Sequence, residues 1–449
     1  MLAMLLPAQA IATTQAQGET AAPLLIQIPE GFTPPQAPPP SESAKVEPAK
    51  ESCLPIEPGS ADQRAGVAEI CTSIVSAAPQ ASATKALRAN EVQAEGGYCE
   101  TSDPGTWHFK RLKYCLEEMT VEFTLRGEQD QVLGTANLYI NTTAELNPRK
   151  GTWSESMKVE FDGSRDPKAA VQHLNVSADV SCDLNCETTQ KSPWTGAKTL
   201  SNANDLAEGT VAYSDVPAVD EKDFTEIKYH LYITHTGSTP TKPNVEWTMP
   251  RYVRCNTHLT QTGNESTGCA LPSITPPDME LPISTYGAAA VTYGFGQYAL
   301  PDGWGYRKSM QRALNGKERR EYTCGTKSTV KFVRKPDIVP KDSCDEYPFA
   351  STKQGGTDGA LCAEITPLLE DDGKYQVYDS DPSRPVTFKE PCVRGHVHED
   401  LNELAGTAYS NYIQDWRLME DDSFWVSIPD FYEKVKTSEE NGDGIAIVD

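Results

Sequence analysis

Apolar and polar residues alternate with a period of two between about Gly97 and Met249. The clearest alternating runs are Met119–Leu125, Met157–Phe161, Leu174–Val180 and Ile227–Ile233. Such alternation predicts half-buried antiparallel strands, each with one side on a core and the other toward solvent. Several such runs within roughly 150 residues predict a β-sandwich-like domain, which we assign to residues 97–250.

The N-terminal part of the chain has no such period. Residues 1–21 begin with an apolar run in which Ala8-Gln9-Ala10 has the form of a cleavage site, so we predict a signal-like segment. Residues 22–60 are rich in proline, most densely at Pro38-Pro39-Pro40, and predict an extended linker. No later stretch has the roughly eighteen apolar residues that a membrane span needs. We therefore predict a secreted, extracellular protein without a membrane span.

Cysteines are the next strong signal, because the chain has twelve of them, well separated. An even number in a secreted chain predicts a disulfide framework, and pairing between sequence neighbours closes short loops. This hypothesis gives the pairs Cys53–Cys71, Cys99–Cys115, Cys182–Cys186, Cys255–Cys269, Cys324–Cys344 and Cys362–Cys392. Zinc binding is the competing interpretation of the close pair Cys182 and Cys186, but no second close pair follows it.

Charge is distributed unevenly along the 449 residues, whose formal net charge is −24. That balance argues against general binding of polyanions and favours a soluble, self-repelling protein. The exception is the stretch from Arg307 to Lys341, which has eleven lysines and arginines against three acids. This basic block is either a solvated surface or a groove that neutralises phosphates. In the second interpretation Arg319, Arg320, Lys331 and Arg334 are candidate contacts to a nucleic acid.

The basic block leads into Cys344–Gly356, which reads Cys-Asp-Glu-Tyr-Pro-Phe-Ala-Ser-Thr-Lys-Gln-Gly-Gly. Its adjacent carboxylates, Asp345 and Glu346, can hold a divalent cation or move a proton. Phosphodiester hydrolysis needs charge stabilisation, an activated water and a groove for the nucleic-acid backbone. Mg²⁺ or Mn²⁺ prefers carboxylate and amide oxygens and keeps several waters, so one or two protein carboxylates suffice. Asp345 and Glu346 are therefore candidate ligands for Mg²⁺ or Mn²⁺.

This segment resembles the central motif of the NucA/NucB family of small secreted bacterial deoxyribonucleases. A second block of that family is matched further along the chain. The positions that keep the family spacing are Asn402, Gly406, Asn411, Arg417, Asp422, Phe424 and Val426. The resemblance covers Cys324 to Val426 and implies a metal-dependent, largely sequence-nonspecific endonuclease that acts on DNA.

The same resemblance implies roles for individual residues. Asp345 and Glu346 would be the acidic catalytic pair. Asn402 would help to position metal or phosphate. Arg417 would contact the phosphates of DNA or brace the fold.

The chain departs from the family pattern in two places. Leu401 stands where a carboxylate is expected before Asn402, and Asp400, one position earlier, is the nearest substitute metal ligand. His398 is close in sequence and is a candidate general base, because histidine titrates near neutral pH. The segment between the two motifs, roughly Ile365–Lys389, is acidic and longer than a compact core needs. It either lies over the cleft and repels DNA or is a surface insertion.

Together these patterns predict a multidomain, mainly β protein with an α+β part. We expect a disulfide-stabilised antiparallel β-sandwich-like domain followed by a small α+β nuclease-like domain over residues 303–436. The leading hypothesis for the function is a secreted, metal-dependent DNA endonuclease. The alternative is a catalytically impaired nuclease fold that acts as a secreted binding or cell-surface interaction protein, which Leu401 motivates. An inhibitor partner and a ligand of the β-sandwich-like domain are left open.

Overall fold

The computed structural model describes residues 41–75, 99, 103–164, 171, 173–235, 242–261 and 264–436. These residues are mainly β, and most of their helices lie toward the C-terminus. They build two hydrophobic cores. The first contains residues between Ile56 and Ile274, and the second contains residues between Met279 and Val435. We call the two parts the β region and the C-terminal region. None of the helices in the described parts is long and apolar enough to cross a membrane.

The β region consists of strands and one short helix. Its elements are β1 (Ser41–Lys45), β2 (Ala49–Pro55), α1 (Ala61–Arg64), β3 (Val67–Val75), β4 (Thr106–Lys110), β5 (Lys113–Gly127), β6 (Val132–Glu145), β7 (Thr152–Ser164), β8 (Leu174–Cys182), β9 (Cys186–Gln190), β10 (Lys198–Leu200), β11 (Leu206–Asp215), β12 (Lys222–Thr225), β13 (Ile227–His235), β14 (Val245–Thr248), β15 (Val253–Gln261) and β16 (Asn264–Ala270).

Antiparallel sheets of the β region enclose a single core. The largest sheet has the order β1-β4-β5-β6-β7-β11-β9, with β3 also paired to β5 and β2 to β3. The others have the orders β10-β8-β13-β14 and β12-β15-β16. Apolar residues of the alternating runs, such as Val121, Phe123, Val176 and Ile233, are fully buried in this core. The predicted antiparallel, sandwich-like architecture is therefore confirmed.

The first two strands lie where the sequence predicts a linker. The signal-like segment 1–21 and linker residues 22–40 lie outside the described residues. The linker prediction does not hold for the rest, because β1 and β2 are part of the large sheet. Both strands lack apolar alternation, and backbone pairing with β4 and β3 holds them in place. The core also extends beyond the predicted limits 97–250, since Ile56 and Ile274 contribute to it.

The C-terminal region mixes short strands with helices. Its elements are β17 (Met279–Glu280), α2 (Ile283–Tyr298), β18 (Met310–Gln311), α3 (Gly316–Thr323), β19 (Asp342–Tyr347), a 3₁₀ turn (Gly359–Leu361), β20 (Ala363–Leu369), β21 (Tyr375–Asp379), β22 (Val393–His398), α4 (Glu399–Asp415), β23 (Ser423–Phe424), β24 (Val426–Ser427) and α5 (Phe431–Lys434).

Helix α2 is the centre of this second core. It is buried over most of its length, as expected of a helix that is apolar on all sides. The four-stranded sheet β19-β22-β20-β21 and helix α4 pack against it. The helix kinks at Gly287, whose φ of +52° glycine adopts without steric cost. The core thus begins before residue 303, where the sequence analysis placed its start.

All twelve cysteines form disulfides between sequence neighbours, as predicted. The pairs are Cys53–Cys71, Cys99–Cys115, Cys182–Cys186, Cys255–Cys269, Cys324–Cys344 and Cys362–Cys392. The disulfide between Cys182 and Cys186 replaces the competing zinc interpretation, because zinc binds thiolates.

A buried charge cluster joins the two regions. We call it the junction cluster, and it consists of Arg111, Arg254, Arg417 and Asp422, each at most 8% exposed. Arg254 donates to both carboxylate oxygens of Asp422 at 2.8 Å, and Arg111 donates to the same carboxylate. Arg417 donates to Asn256 Oδ1 from Nη2 at 2.7 Å. These contacts fix the C-terminal region against the β region.

Candidate active site

Strand β19 carries both motif carboxylates at one edge of the four-stranded sheet. It pairs antiparallel with β22, which places Asp345 opposite Gly395 and Glu346 opposite Arg394. Successive side chains of a strand point to opposite faces, so Asp345 and Glu346 lie on different sides of the sheet. Each residue is only 5% exposed. The two carboxylates are thus adjacent in sequence and buried, but they lie on opposite faces of the sheet at its β19 edge.

Asp345 lies on the apolar side of the sheet, where α2 packs. Its Oδ1 accepts a hydrogen bond from the backbone N–H of Glu346 at 3.0 Å, whereas its buried Oδ2 has no hydrogen-bond partner among the described residues. Burial, and then the charge of Glu346, raises the pKa of Asp345 to about 7. The Tyr293 hydroxyl on α2 opposes this rise. A buried carboxylate oxygen without a partner is a candidate ligand or proton acceptor.

Glu346 lies on the polar side of the sheet. Burial raises its pKa to about 7, and the charge of Arg320 limits the rise. Arg320 Nε lies 3.8 Å from Glu346 Oε2. The sulfur of Cys324 is 2.9 Å from the same oxygen, but its disulfide with Cys344 leaves it without a proton. These two sulfurs and Glu346 therefore do not form a thiolate metal site, although they are close together.

Arg320 and Asn402 meet at one backbone carbonyl on the outer edge of β19. Arg320 Nη2 donates to the carbonyl oxygen of Cys344 at 2.9 Å, and Asn402 Nδ2 donates to it at 3.0 Å. Asn402 Nδ2 also donates to Ser343 Oγ at 2.9 Å. The Arg320 side chain is 51% exposed, so a ligand can reach it. The edge thus brings a guanidinium and an amide to the peptide bond that leads into Asp345.

The turn after the carboxylates depends on the two glycines of the motif. A Cβ at Gly355 would lie 2.1 Å from the carbonyl oxygen of Phe349, and Gly356 has a φ of +70°. Arg319 holds this turn by donating to the carbonyl oxygens of Lys353, at 2.8 Å, and Gly355. Arg319 therefore braces the motif, and its guanidinium is engaged in doing so.

Buried carboxylates at a strand edge, an accessible guanidinium and an amide are groups that phosphodiester hydrolysis uses. Residues 301–372 match the family model of deoxyribonuclease NucA/NucB. Residues 301–372 of the C-terminal region are therefore of the NucA/NucB deoxyribonuclease type, as the resemblance of the motif implied. The matched segment includes Arg320, Asp345 and Glu346 and ends before Asn402. No curated protein and no solved structure matches the chain significantly.

Asp400 lies in the C-terminal region but away from the carboxylate pair. Its side chain is 67% exposed, and Oδ1 lies 3.2 Å from Lys341 Nζ. Among the described residues, no group of three histidine, cysteine or acidic ligand atoms that includes Asp345 or Asp400 lies within 4.8 Å. The predicted metal set of Asp345, Glu346 and Asp400 is therefore not assembled, because Asp400 stands in the solvated first turn of α4.

His398 also lies away from the pair. It is the last residue of β22 and caps α4, with Nδ1 accepting the backbone N–H of Asp400 at 3.2 Å. In the sheet it stands opposite Asp342, three residues from Asp345, which is about 10 Å along a strand. This position does not support the predicted role as general base.

The remaining predicted DNA contacts fall into two classes. Lys331 and Arg334 are exposed on the segment that follows α3. Arg417 is buried in the junction cluster, where burial and then the charge of Arg254 lower its pKa to about 10. Of the two roles implied for Arg417, bracing the fold is therefore the one that its position supports, and a phosphate cannot reach it.

The acidic segment between the motifs lies far from the carboxylates. Much of it forms β20 and β21, and β21 is the outer strand at the edge opposite β19. Three strand spacings separate the two edges, which is about 14 Å. Because Ile365 and Val377 of these strands are buried in the second core, the strands belong to the sheet itself, and they neither form a surface insertion nor cover Asp345.

The edge of β19 fits a hydrated divalent ion, and NucA/NucB nucleases are generally dependent on divalent metals. Asp345 Oδ2 has no hydrogen-bond partner in the part of the chain that the structure describes, and the amide oxygen of Asn402 is a second donor of the type that Mg²⁺ accepts. Leu401 adds no donor, because it packs against the second core with a methyl group beside Gly287. The set is small, and an ion that keeps several waters is the kind that such a set holds.

Two features of the site escaped the sequence analysis. Tyr293 lies on α2, outside the predicted domain, and the apolar, glycine-rich composition of that segment was its only signal. The second is a group on the polar side of the sheet, which we call the polar-face network and which consists of Asp342, Glu364, Arg394 and His396. Its signal was the alternation of Arg394 and His396 along one strand, typical of side chains that share a face.

Proposed function

We propose that this chain is a secreted, divalent-metal-dependent endonuclease that hydrolyses DNA without strong sequence preference. The observation that carries the proposal is the buried Asp345 carboxylate at the edge of the sheet, one oxygen of which has no hydrogen-bond partner among the described residues. Arg320, which is half exposed and lies 3.8 Å from Glu346 Oε2, supplies a cation for a phosphate group. The family match over residues 301–372 supports the nuclease assignment.

Each residue at the edge has a defined task in this proposal. Asp345 and Asn402 hold Mg²⁺ or Mn²⁺, which when bound would stabilise charge on the phosphate and lower the pKa of a water. Arg320 neutralises the non-bridging phosphate oxygens. Glu346 accepts a proton, because burial raises its pKa to about 7, close to the pH at which a general base works best.

Secretion is proposed from the cysteines. All twelve are oxidised, which matches an oxidising compartment. The predicted signal-like segment, residues 1–21, lies outside the described residues and stays a prediction.

A second candidate function is a binding protein with an impaired site. Leu401 favours it, because an apolar side chain occupies the position where the family resemblance implies an acid, and Asp400 does not replace it. Such a protein would bind DNA through the same edge without cutting it.

The test is cleavage of supercoiled plasmid by the full chain in Mg²⁺, in Mn²⁺ and with a chelator. We expect nicking in at least one metal, loss of nicking with the chelator, and loss in Asp345→Asn and Glu346→Gln. Asp400→Asn is the matched control and keeps its activity. Cutting by the Asp345→Asn, Glu346→Gln double variant at the wild-type rate contradicts the roles assigned here, and DNA binding without cutting in either metal supports the second candidate.

A further inference from the structure

The segment Ser328–Lys335 has no regular secondary structure, yet it is fixed to the sheet at several points. Arg394 Nη1 donates to the carbonyl oxygen of Val330 at 2.8 Å. Asp342 Oδ2 accepts the backbone N–H of Lys335 at 2.7 Å. Between these points the ring of Phe332 stacks on His396, with 4.3 Å between ring centroids. We call this segment the anchored loop, because its backbone is held from both ends and from its middle.

The anchors all belong to the polar-face network, which is itself buried and paired. Glu364 accepts from Arg394 Nε at 2.8 Å and lies 3.2 Å from His396 Nε2, while Asp342 lies 2.6 Å from His396 Nδ1. Arg394 and His396 are fully buried. Burial alone would raise the pKa of Glu364, but the hydrogen bond from His396 and the charge of Arg394 hold it below its usual value. The network is therefore a stable base for the loop.

What the loop exposes differs from what it buries. Phe332 points toward the sheet and stacks on His396, whereas the next residue, Val333, is 67% exposed. Such exposure is unusual for an aliphatic side chain on a fixed loop. Lys331 and Arg334 on either side of it are also exposed. Lys331 Nζ donates to the backbone carbonyl oxygens of Thr326 and, at 2.9 Å, of Ser328, whereas Arg334 makes no hydrogen bond or ion pair with the described residues. The loop thus presents an aliphatic tip between two cations.

The loop crosses the side of the sheet on which Glu346 lies. Arg394, which holds Val330, stands directly opposite Glu346 in the sheet, and His396, which holds Phe332, stands two positions further. Arg320 Nε lies 3.8 Å from Glu346 Oε2, so the exposed guanidinium and the loop share this face of the sheet.

We propose that the anchored loop is a preformed docking element for duplex DNA, in which Lys331 and Arg334 contact phosphates and Val333 contacts the floor or wall of a groove. Proteins that bind the minor groove combine lysine and arginine contacts with apolar side chains that insert between base steps. Rigid anchoring lowers the ordering cost of binding. The inference rests on the proposed action on DNA and adds the surface that the substrate occupies.

The experiment is binding of a fluorescent 20-base-pair duplex by the full chain, with a chelator present so that no cleavage occurs. Affinity is measured at several salt concentrations. We expect Lys331→Ala and Arg334→Ala each to weaken binding roughly fivefold to tenfold at low salt and to lower the salt slope by about one. Val333→Ser weakens binding and leaves the salt slope unchanged, because it removes no charge.

Two further variants separate the loop from general surface effects. Ile338→Ser is the matched control, since Ile338 is an equally isolated aliphatic residue that is 52% exposed, and it binds DNA like the wild type. Phe332→Ala keeps both cations and Val333 but removes a central anchor, so it weakens binding if preformed geometry matters.

Wild-type affinity and salt slope in Lys331→Ala and Arg334→Ala overturn the proposal, as does an equal loss in Val333→Ser and Ile338→Ser. DNA binding is measured without a divalent metal, so the result for the docking proposal does not depend on the result for the endonuclease proposal. A chain that binds through the loop but never cuts contradicts the endonuclease proposal alone. A chain that cuts DNA while all loop variants bind normally contradicts the docking proposal alone.

Discussion

The junction cluster and the edge of β19 both bury carboxylates, but only the junction cluster pairs its carboxylate with buried arginines. Asp422 accepts hydrogen bonds from Arg111 and Arg254, and these interactions outweigh burial and lower its pKa. Asp345 is buried to a similar extent, but one of its oxygens has no hydrogen-bond partner among the described residues, and its pKa is raised to about 7. The chain completes the first site with its own side chains and leaves the second incomplete, as expected where a ligand supplies the missing charge.

A third buried carboxylate shows that a raised pKa is not sufficient to mark a site. Glu155 is fully buried in the β region, and burial raises its pKa. Yet it accepts hydrogen bonds from Tyr114, Tyr213 and Tyr229, at 3.2, 2.6 and 2.8 Å. The distinguishing feature of Asp345 is therefore the combination of burial, an oxygen without a partner and an exposed cation nearby.

The largest expected effect tests the compensated site. Asp422→Ala leaves Arg111 and Arg254 buried without their shared carboxylate, so it should lower the free energy of unfolding by about 3–5 kcal/mol. Asp415→Ala is the control, because its pair with Arg149 is exposed and should contribute less than about 1 kcal/mol. Denaturant unfolding measures both. Equal, small losses would contradict the difference drawn between the two sites.

The second prediction concerns the pH dependence of stability at the uncompensated site. Asp345 and Glu346 titrate near 7 when folded and near 4 when unfolded, so the folded state holds more protons between these values. Their contribution therefore favours the folded state at low pH and is lost as the pH rises from about 4 to about 7. Each pKa unit of the rise corresponds to about 1.4 kcal/mol for each of the two groups.

This prediction is measured by thermal unfolding at pH 5 and pH 8 with a chelator present. The Asp345→Asn, Glu346→Gln double variant should lose less stability between the two pH values than the wild type. An identical pH response in both proteins would show that the pair is not desolvated. The pH dependence expected from Asp422 has the opposite sign. Its pKa is lowered in the folded state, so it contributes stability when the pH is above its unfolded pKa, and this stability is lost as the pH falls.

A smaller effect is expected from removing the cation beside the pair. Arg320→Gln should slow DNA cleavage about tenfold to hundredfold, because the phosphate loses a charged partner. It should also shift the pH profile of cleavage upward, since the charge of Arg320 lowers the pKa of Glu346. Lys317→Gln, on the exposed side of the same helix, is the control. A slower rate with an unmoved profile would indicate a purely structural role for Arg320.

The smallest effect is expected from adding an acid where the sequence lacks one. Leu401→Glu should increase Mn²⁺-supported cleavage a few-fold, at a cost of about 1 kcal/mol in stability from lost packing. Leu404→Glu, 45% exposed on the same helix, controls for the added charge. Calorimetric titration with Mn²⁺ measures the metal affinity of the site independently of cleavage. Unchanged metal affinity and unchanged cleavage would show that the missing acid does not limit the site.

The sequence by itself determined the features that depend on short-range pattern. Period-two alternation located strands such as β5 and β13, because successive side chains of a strand point to opposite faces and burial of one face therefore leaves a local pattern in the sequence. The hypothesis of pairing between neighbouring cysteines was confirmed, since short loops close at low entropic cost, although spacing alone does not fix the connectivity. The motif at Asp345 and Glu346, with its Gly355 and Gly356 turn, was recognisable because its residues are contiguous.

Only the tertiary structure decided what depends on contacts between distant residues. Strands β1 and β2 exist through backbone pairing that leaves no side-chain pattern, so composition alone indicated a linker. Arg417 and Arg320 are both arginines near family motifs, yet packing against Asn256 buries the first while the sheet edge leaves the second exposed. Whether a charge is compensated depends on which partners the fold brings within a few ångströms, and sequence spacing does not contain that information.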